Sequence, residues 1–342
     1  METSVREMLA ASVSNLLGQH CSGAQVRRFD AGDAPSALWQ AMVDAGLPGA
    51  LMAEGKGGAG LAMHDVLPVL LALGAHVAPV ALAETMLARA FLSNVDQALP
   101  DGAVAIGGWA TQNNDESMYC AQVPFARTAQ WVILAVGETS LLLPVADAQP
   151  VCGLMRNSQQ GALLWSAAVI KGARRMPWRD WASIGAGLIA VRMAGAMQKM
   201  LDMTMEQANT RVQFGRPIGK FQAVQHQISV LAEQVFAVRM AAEMSYGPVG
   251  EPSLLWAAIA KARASEAVAS VTSIAHAVHG AIGITAEYDL QLLTRRLHEW
   301  RLAYGAESYW QAIVGQAVLA TPDLDVLDFI RVGLEPVPRP IS

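Results

Sequence analysis

Two arginines, an aromatic ring and several amides fall within one short stretch, Arg211-Val212-Gln213-Phe214-Gly215-Arg216-Pro217-Ile218-Gly219-Lys220-Phe221-Gln222-Ala223-Val224-Gln225-His226. A guanidinium is a planar fork of donors that grips paired phosphate oxygens, and an aromatic neighbour offers a face for stacking. The group therefore suits a phosphate diester joined to an aromatic ring. The same residues also suit an ordinary corner between two helices, with the polar side chains solvated or capping helix ends. The residue types alone leave both readings open.

The elements that hold this stretch are helical. Before it, a small-residue and apolar run from Ile184 to about Ala208 carries Met197, Leu201 and Met205 at intervals of four, which is helix spacing. After it, Val224, Ile228, Leu231, Val235 and Val238 repeat every three or four residues. Gly215 can adopt a left-handed backbone and Pro217 cannot continue a helix, so the chain turns a tight corner between them. At that corner the Arg211 guanidinium has room to reach outward.

The rest of the chain divides by period. Residues 1–100 read as a helical domain: Val5, Leu9, Val13 and Leu17 form one stripe, Pro35-Ser36 opens a second helix, His64-Asp65 a third, and Leu82 to Leu92 a fourth. The Gly-rich run Glu54 to Gly60 is a connector, because its glycine order fits no phosphate-binding loop. From Gly102 the pattern shortens. Ala103–Ile106, Trp131–Val136, Ser140–Val145 and Ala162–Trp165 read as strands of a small β-domain over 101–175. Residues 176–325 return to helix spacing in long segments joined by short turns, an antiparallel bundle. One of its helices, from Pro252 to about His279, is alanine-rich, and Trp300, Tyr304, Tyr309 and Trp310 bring large aromatics to the surface near the last helix. Residues 326–342 form an extended, proline-rich tail. The fold class is thus mostly α with a small β-domain.

Composition narrows the function. Across 342 residues, 53% are hydrophobic and 15% charged, which points to apolar surface buried between subunits. The net charge of −5 argues against a nucleic-acid partner, and no membrane span is expected. The start METSVREMLA lacks a signal-peptide pattern. Cys21, Cys120 and Cys152 cannot all pair and show no metal-ligand spacing, so a reduced, cytoplasmic protein without a metal is expected.

The run RVQFGRPIGKFQAVQH closely resembles the signature of the acyl-CoA dehydrogenase family, flavoproteins that oxidise acyl-CoA thioesters. Leu38 to Gly60, His279 to Leu290 (HGAIGITAEYDL) and Arg295-Arg296 agree with the family in chain order, while the likeness thins between about 100 and 175. The resemblance implies a helical N-terminal domain, a central β-domain (reduced here) and a C-terminal helical bundle. It also implies FAD as cofactor, an acyl-CoA substrate and an electron-transferring flavoprotein as acceptor. On the family pattern, Arg211, Gln213, Phe214, Phe221, Gln225, Gly280 and Gly283 lie on the cofactor side, with Arg211, Phe214 and Gln225 reaching a neighbouring subunit's FAD.

The family's chemistry requires a carboxylate in a dry pocket to take the α proton, since water exclusion raises its basicity. Two places carry it in the family. One falls at or next to Gly185, the other at Tyr304, and neither holds a carboxylate here. Ala186 stands where an arginine is common, Ala277 where a glutamine is usual, and Ala306 where a threonine is. Nor is there a match to the threonine- or serine-rich strand and tryptophan-threonine pair that wrap the flavin. A small shift in alignment brings in Asp180, Glu299 or Glu307, and Glu287 lies in the family-like GITAEYD stretch, so Glu287, Glu299 and Glu307 are the candidate bases. The pattern resembles the short, base-lacking subunit of heteromeric steroid side-chain enzymes that assemble as α2β2. A homomeric enzyme with a non-standard base and a non-enzymatic helical scaffold are the alternatives.

Overall fold

Apolar residues three and four apart give the N-terminal region its helices. In the computed structural model, which describes residues 5–151, 158–246 and 253–333, these are α1 (Val5–His20), α2 (Gly23–Ala31), α3 (Ser36–Asp44), α4 (Met63–Ala75) and α5 (Leu82–Asn94). Val13 and Leu17 of α1, Leu38 and Met42 of α3, and most of α4 face the core. Sequence periodicity does not reveal α2, which buries only Val26 and Asp30. A capping box starts it: Gln25 N donates to Ser22 Oγ at 3.4 Å and Ser22 N to Gln25 Oε1 at 2.7 Å. The tail expected to be extended from 326 instead begins helically, through Val326–Asp328 and Phe329–Gly333, where Asp325 accepts from Asp328 N at 2.8 Å; Cys152, Pro252 and the proline-rich stretch 336–342 lie outside the described residues.

Two four-stranded sheets follow. They are built from β1 (Val104–Ile106), β2 (Ala110–Gln112), β3 (Met118–Val123), β4 (Trp131–Val136), β5 (Thr139–Pro144), β6 (Ala148–Val151), β7 (Gly161–Trp165) and β8 (Arg174–Pro177), with a short helix α6 (Ala167–Gly172) before β8. One sheet has the order β1-β4-β5-β8, with β1 parallel to β4 and the rest antiparallel; the other runs β2-β3-β7-β6. The four expected strands are β1, β4, β5 and β7. The others escape the period-two pattern for physical reasons. β2, β6 and β8 are sheet edges with few inward side chains, and β3 shifts register between Cys120 and Val123.

The centre of the molecule is α7 (Trp181–Thr210), buried over most of its length from Trp181 to Leu201. Around it lie α4, α8 (Gln222–Met244) and α9 (Leu254–His279), with α10 (Leu290–Leu302) and α11 (Glu307–Leu319) completing the bundle. Helices α4 and α7 touch backbone to backbone: a Cβ at Gly74 would overlap the Arg192 carbonyl, and one at Gly195 the Leu71 carbonyl. Alanines 257, 258, 260, 264 and 267 let α9 pack tightly against α7, α8 and α11. The stretch Leu254–Ile284 is long and apolar enough to cross a membrane by length and composition. In the fold it is an inner helix, and its Lys261 and Ser265 are fully buried.

Candidate functional site

The arginine-rich corner is more ordered than a plain turn. Helix α7 ends at Thr210, and β9 (Val212–Gln213) pairs antiparallel with β10 (Arg216–Pro217), Gln213 opposite Arg216. Phe214 and Gly215 form the two-residue turn with φ of 52° and 78°, the left-handed pair that tight hairpins require. A 3-10 turn, Ile218–Lys220, then leads into α8. This geometry pushes Phe214 out, 92% exposed. Its ring meets Phe221 edge-on at 6.1 Å between centroids, and Arg216 lies over Phe221 at 4.3 Å.

Arg211, Gln213, Phe214 and Phe221, with Ala277 and Gly280 opposite, line one cleft of about 360 Å³. The structure thus brings together five of the seven residues assigned to the cofactor side: Arg211, Gln213, Phe214, Phe221 and Gly280. The other two point elsewhere. Gln225 Nε2 donates to the Gly219 carbonyl at 3.0 Å, and Gly283 packs beneath the turn, where a Cβ would sit 3.0 Å from His279 Cβ and 3.1 Å from Leu290 Cδ2. Arg211 does not simply reach outward. Its Nη1 donates to the His279 carbonyl at 3.0 Å, anchoring the side chain on the end of α9 while it lines the cleft.

None of the proposed carboxylates is placed as a base. Glu307 accepts from Arg301 Nε at 2.9 Å and pairs a second time with Arg301 Nη2; these bonds hold its carboxyl down at about 2. Glu299 is buried in a network: Arg296 Nη1 at 2.5 Å on one oxygen, and Ser158 Oγ, Gln159 N and Gln160 N at 3.0–3.2 Å on the other. Arg296 also pairs with Asp30 of α2 at 2.7 Å, so the cluster ties α2, the β-region and α10 together. Glu287 is exposed beside a groove with Lys199, Glu206 and Tyr288. Asp180 caps α7, accepting from Ser183 N at 3.1 Å. Glu299→Gln is accordingly expected to cost roughly 1.5–3 kcal/mol in urea unfolding, the worth of hydrogen bonds to a charged group, without changing the flavin content of the co-expressed complex. A flavoprotein left fully stable but inactive would instead make Glu299 the base.

Gly185 and Tyr304, the two places that the resemblance assigns to the family's base, meet at one point. Tyr304 is fully buried, and its ring presses on α7 where a Cβ at Gly185 would overlap Cζ and lie 2.7 Å from Oη. Its hydroxyl donates to the Ile106 carbonyl at 2.8 Å. Burial, and secondarily Glu84, pushes the phenol well above its usual range, so it stays neutral and cannot accept the α proton. Trp300 and Trp310, expected at the surface with Tyr304, are buried too; Tyr309 alone of that group is exposed. The core packing of the bundle claimed the other three.

Three charged residues that sequence reasoning missed, Glu84, Arg192 and Lys261, surround this point. Glu84 and Arg192 are fully buried and pair at 3.1 Å; Arg192 also donates to the Ala78 and Val80 carbonyls at 3.3 and 2.9 Å and lies 4.5 Å over Phe125. Lys261 Nζ donates to Ser265 Oγ, Arg301 O and Gly305 O at 2.8, 2.8 and 2.9 Å, which fixes the turn carrying Tyr304. Burial pushes this ammonium down to about 7, opposed by Glu307. The signal was present: Arg192 is a lone charge in an otherwise uncharged run from Trp181 to Gln198.

Comparison with known proteins agrees with this geometry. The family model for the acyl-CoA dehydrogenase C-terminal domain matches residues 182–319. "Acyl-CoA dehydrogenase IpdE2" of Mycolicibacterium smegmatis is 34% identical over 301 residues, covering 86% of this chain and 92% of the relative. Among solved structures, a chain of the ChsE4-ChsE5 complex from Mycobacterium tuberculosis superposes with a TM-score of 0.81 at 22% identity, over 94% of this chain and 99% of that one. A chain of the Tcur3481-Tcur3483 steroid ACAD superposes at 0.79, also at 22% identity, over 93% and 99%. With a relative at this identity spanning most of both chains, and the fold and arginine corner in place, the chain belongs to the acyl-CoA dehydrogenase family.

Proposed function

We propose that this chain is the short, base-lacking subunit of a heteromeric acyl-CoA dehydrogenase, an α2β2 assembly that oxidises the α,β bond of an acyl-CoA thioester. The carrying observation is the contact of Gly185 with Tyr304: both places for a base converge there, and a neutral phenol fills the point. In this reading residues 1–100, 101–175 and 176–325 act as three domains, and the bundle supplies the face toward the partner chain. Exposed Phe236, Met240 and Met244 along α8 suit such a face. The ChsE4-ChsE5 structure is itself a complex of two named chains, which supports the heteromeric arrangement.

The corner cleft fits the adenosine diphosphate half of FAD. Arg211 and Gln213 offer donors, Phe214 and Phe221 offer ring faces and edges, and a Cβ at Gly280 would crowd Arg211 Nη1 at 3.2 Å. When bound, the flavin supplies the acceptor for the hydride leaving the β carbon, and an electron-transferring flavoprotein would reoxidise it. This chain's own contribution is to bind and orient. Arg211, held by the His279 carbonyl, would offer its fork to the pyrophosphate, and Phe214 and Phe221 would flank the ring.

Two measurements test the proposal. Protein expressed alone is expected to lack flavin and to become yellow when co-expressed with its full-length partner; yellow, active homomers would favour an enzyme with a non-standard base. In the assembled complex Arg211→Ala is expected to weaken FAD about tenfold to hundredfold, since a charge-assisted contact is worth roughly 1.5–3 kcal/mol. Arg211→Lys should recover part of this, because a point charge cannot form the fork. Unchanged affinity would reduce Arg211 to a helix cap on α9.

A further inference from the structure

Tyr304 has more holding it than a core residue needs. Its φ of 54°, followed by 95° at Gly305, is left-handed. For a bulky side chain that backbone is unfavourable and persists only where the surroundings over-determine it. Here they do. Trp310 Nε1 donates to the Tyr304 carbonyl at 2.8 Å, Lys261 holds the Arg301 and Gly305 carbonyls on either side, and the phenol reaches Ile106 of β1. Helix α7 is notched to receive the ring, because residue 185 has no Cβ.

The turn also lies next to solvent. Trp109, at the start of the second sheet, is 49% exposed and Tyr309 is 44% exposed; their rings meet at 4.9 Å. A Cβ at Gly305 would lie 3.3 Å from Trp109 Cη2. A surface aromatic lip therefore sits over the turn, the ring of Tyr304 lies under it, and the Glu84–Arg192 pair acts electrostatically on the phenol from within. This one side chain therefore fills the space between β1, the turn and α7.

We propose that Tyr304 is a built-in plug, seated against Gly185 and clamped by Lys261, Trp310 and Ile106, that keeps acyl thioesters from entering between β1 and α7. The inference rests on the base-lacking reading above and deepens it. The chain does not merely lack a base; it fills the space that an acyl group would need, so acyl ligand is directed to the partner chain. The excluded class is an extended apolar acyl chain ending in a thioester.

The test uses the full chain by itself, so it does not depend on flavin or on finding the partner. Tyr304→Gly removes the ring and accepts the left-handed backbone; Tyr304→Leu is the milder second variant should the first fold poorly. Two probes are titrated by calorimetry, 4-methylphenol as a refill of the missing side chain and S-hexanoyl-N-acetylcysteamine as a small acyl thioester. An apolar void of this kind binds small aromatics, so 4-methylphenol binding shows that the variant is folded with the space open. The expected result is saturable thioester binding to Tyr304→Gly, or to Tyr304→Leu, at least tenfold tighter than to the unaltered chain. If 4-methylphenol binds but the thioester does not, Tyr304 is core packing and the plug is wrong. Equal thioester binding by the unaltered chain overturns it as well. Neither result bears on whether co-expression yields a flavin-bearing heteromer, so failure of the two readings can be told apart.

Discussion

Arg192→Met alone is expected to destabilise the protein by about 3–5 kcal/mol, whereas Arg192→Met combined with Glu84→Leu should recover most of that loss. Both partners of the pair are fully buried, at 3.1 Å, between α5 and α7. Removing one leaves an uncompensated charge in the interior; replacing both with apolar groups of similar size does not. Arg192 adds to the single-variant cost because its donors also serve the Ala78 and Val80 carbonyls before α5. The deficit should depend on pH. Burial already pushes Glu84 up, and without the guanidinium that effect loses its main opposition. A carboxyl whose folded pKa lies above its unfolded value keeps its contribution below the unfolded pKa and loses it as pH rises through the folded one. The Arg192→Met variant should therefore be weaker at pH 8 than at pH 5, relative to the parent. Urea midpoints at the two pH values measure this. A single variant as stable as the double would mean that the pair is not buried as described.

What could be read in the sequence was local. The corner from Arg211 to Phe221 lies within a dozen residues, so its chemistry and even most of its cleft were visible as a motif. The long helices were visible because one face of each is buried, and α7 because nearly all of it is. What escaped depended on distant partners or on short elements. Helix α2 is polar and brief, with a capping box as its only mark. Edge strands β2, β6 and β8 bury too little to alternate. The burial of Glu299 escaped because Ser158 and Gln159 are about 140 residues away, and the pair of Glu84 with Arg192 because it spans 108. Gly185 and Tyr304 could each be recognised as a place without a base. Their contact, 119 positions apart in the chain, could not.

That contact gives the second large effect, in which one substitution should change sign with its background. Gly185→Ala adds a single methyl to a helix interior, where alanine is favoured over glycine by about 1 kcal/mol. In the parent it should nevertheless be destabilising by roughly 1–3 kcal/mol, because the methyl would overlap the Tyr304 ring and the ring has nowhere to go. Its hydroxyl is held by Ile106, and its backbone by Trp310 and the Lys261 clamp on Gly305. Tyr304→Gly by itself should cost about 3–5 kcal/mol, as for other buried aromatics truncated in a core. In that background Gly185→Ala meets open space, so it should become neutral or stabilising by up to about 1 kcal/mol. Urea unfolding of the four proteins of the cycle gives the coupling directly, independent of any ligand. If Gly185→Ala costs the same with and without the tyrosine, the ring does not rest on α7. The plug reading of Tyr304 would then fall with that contact.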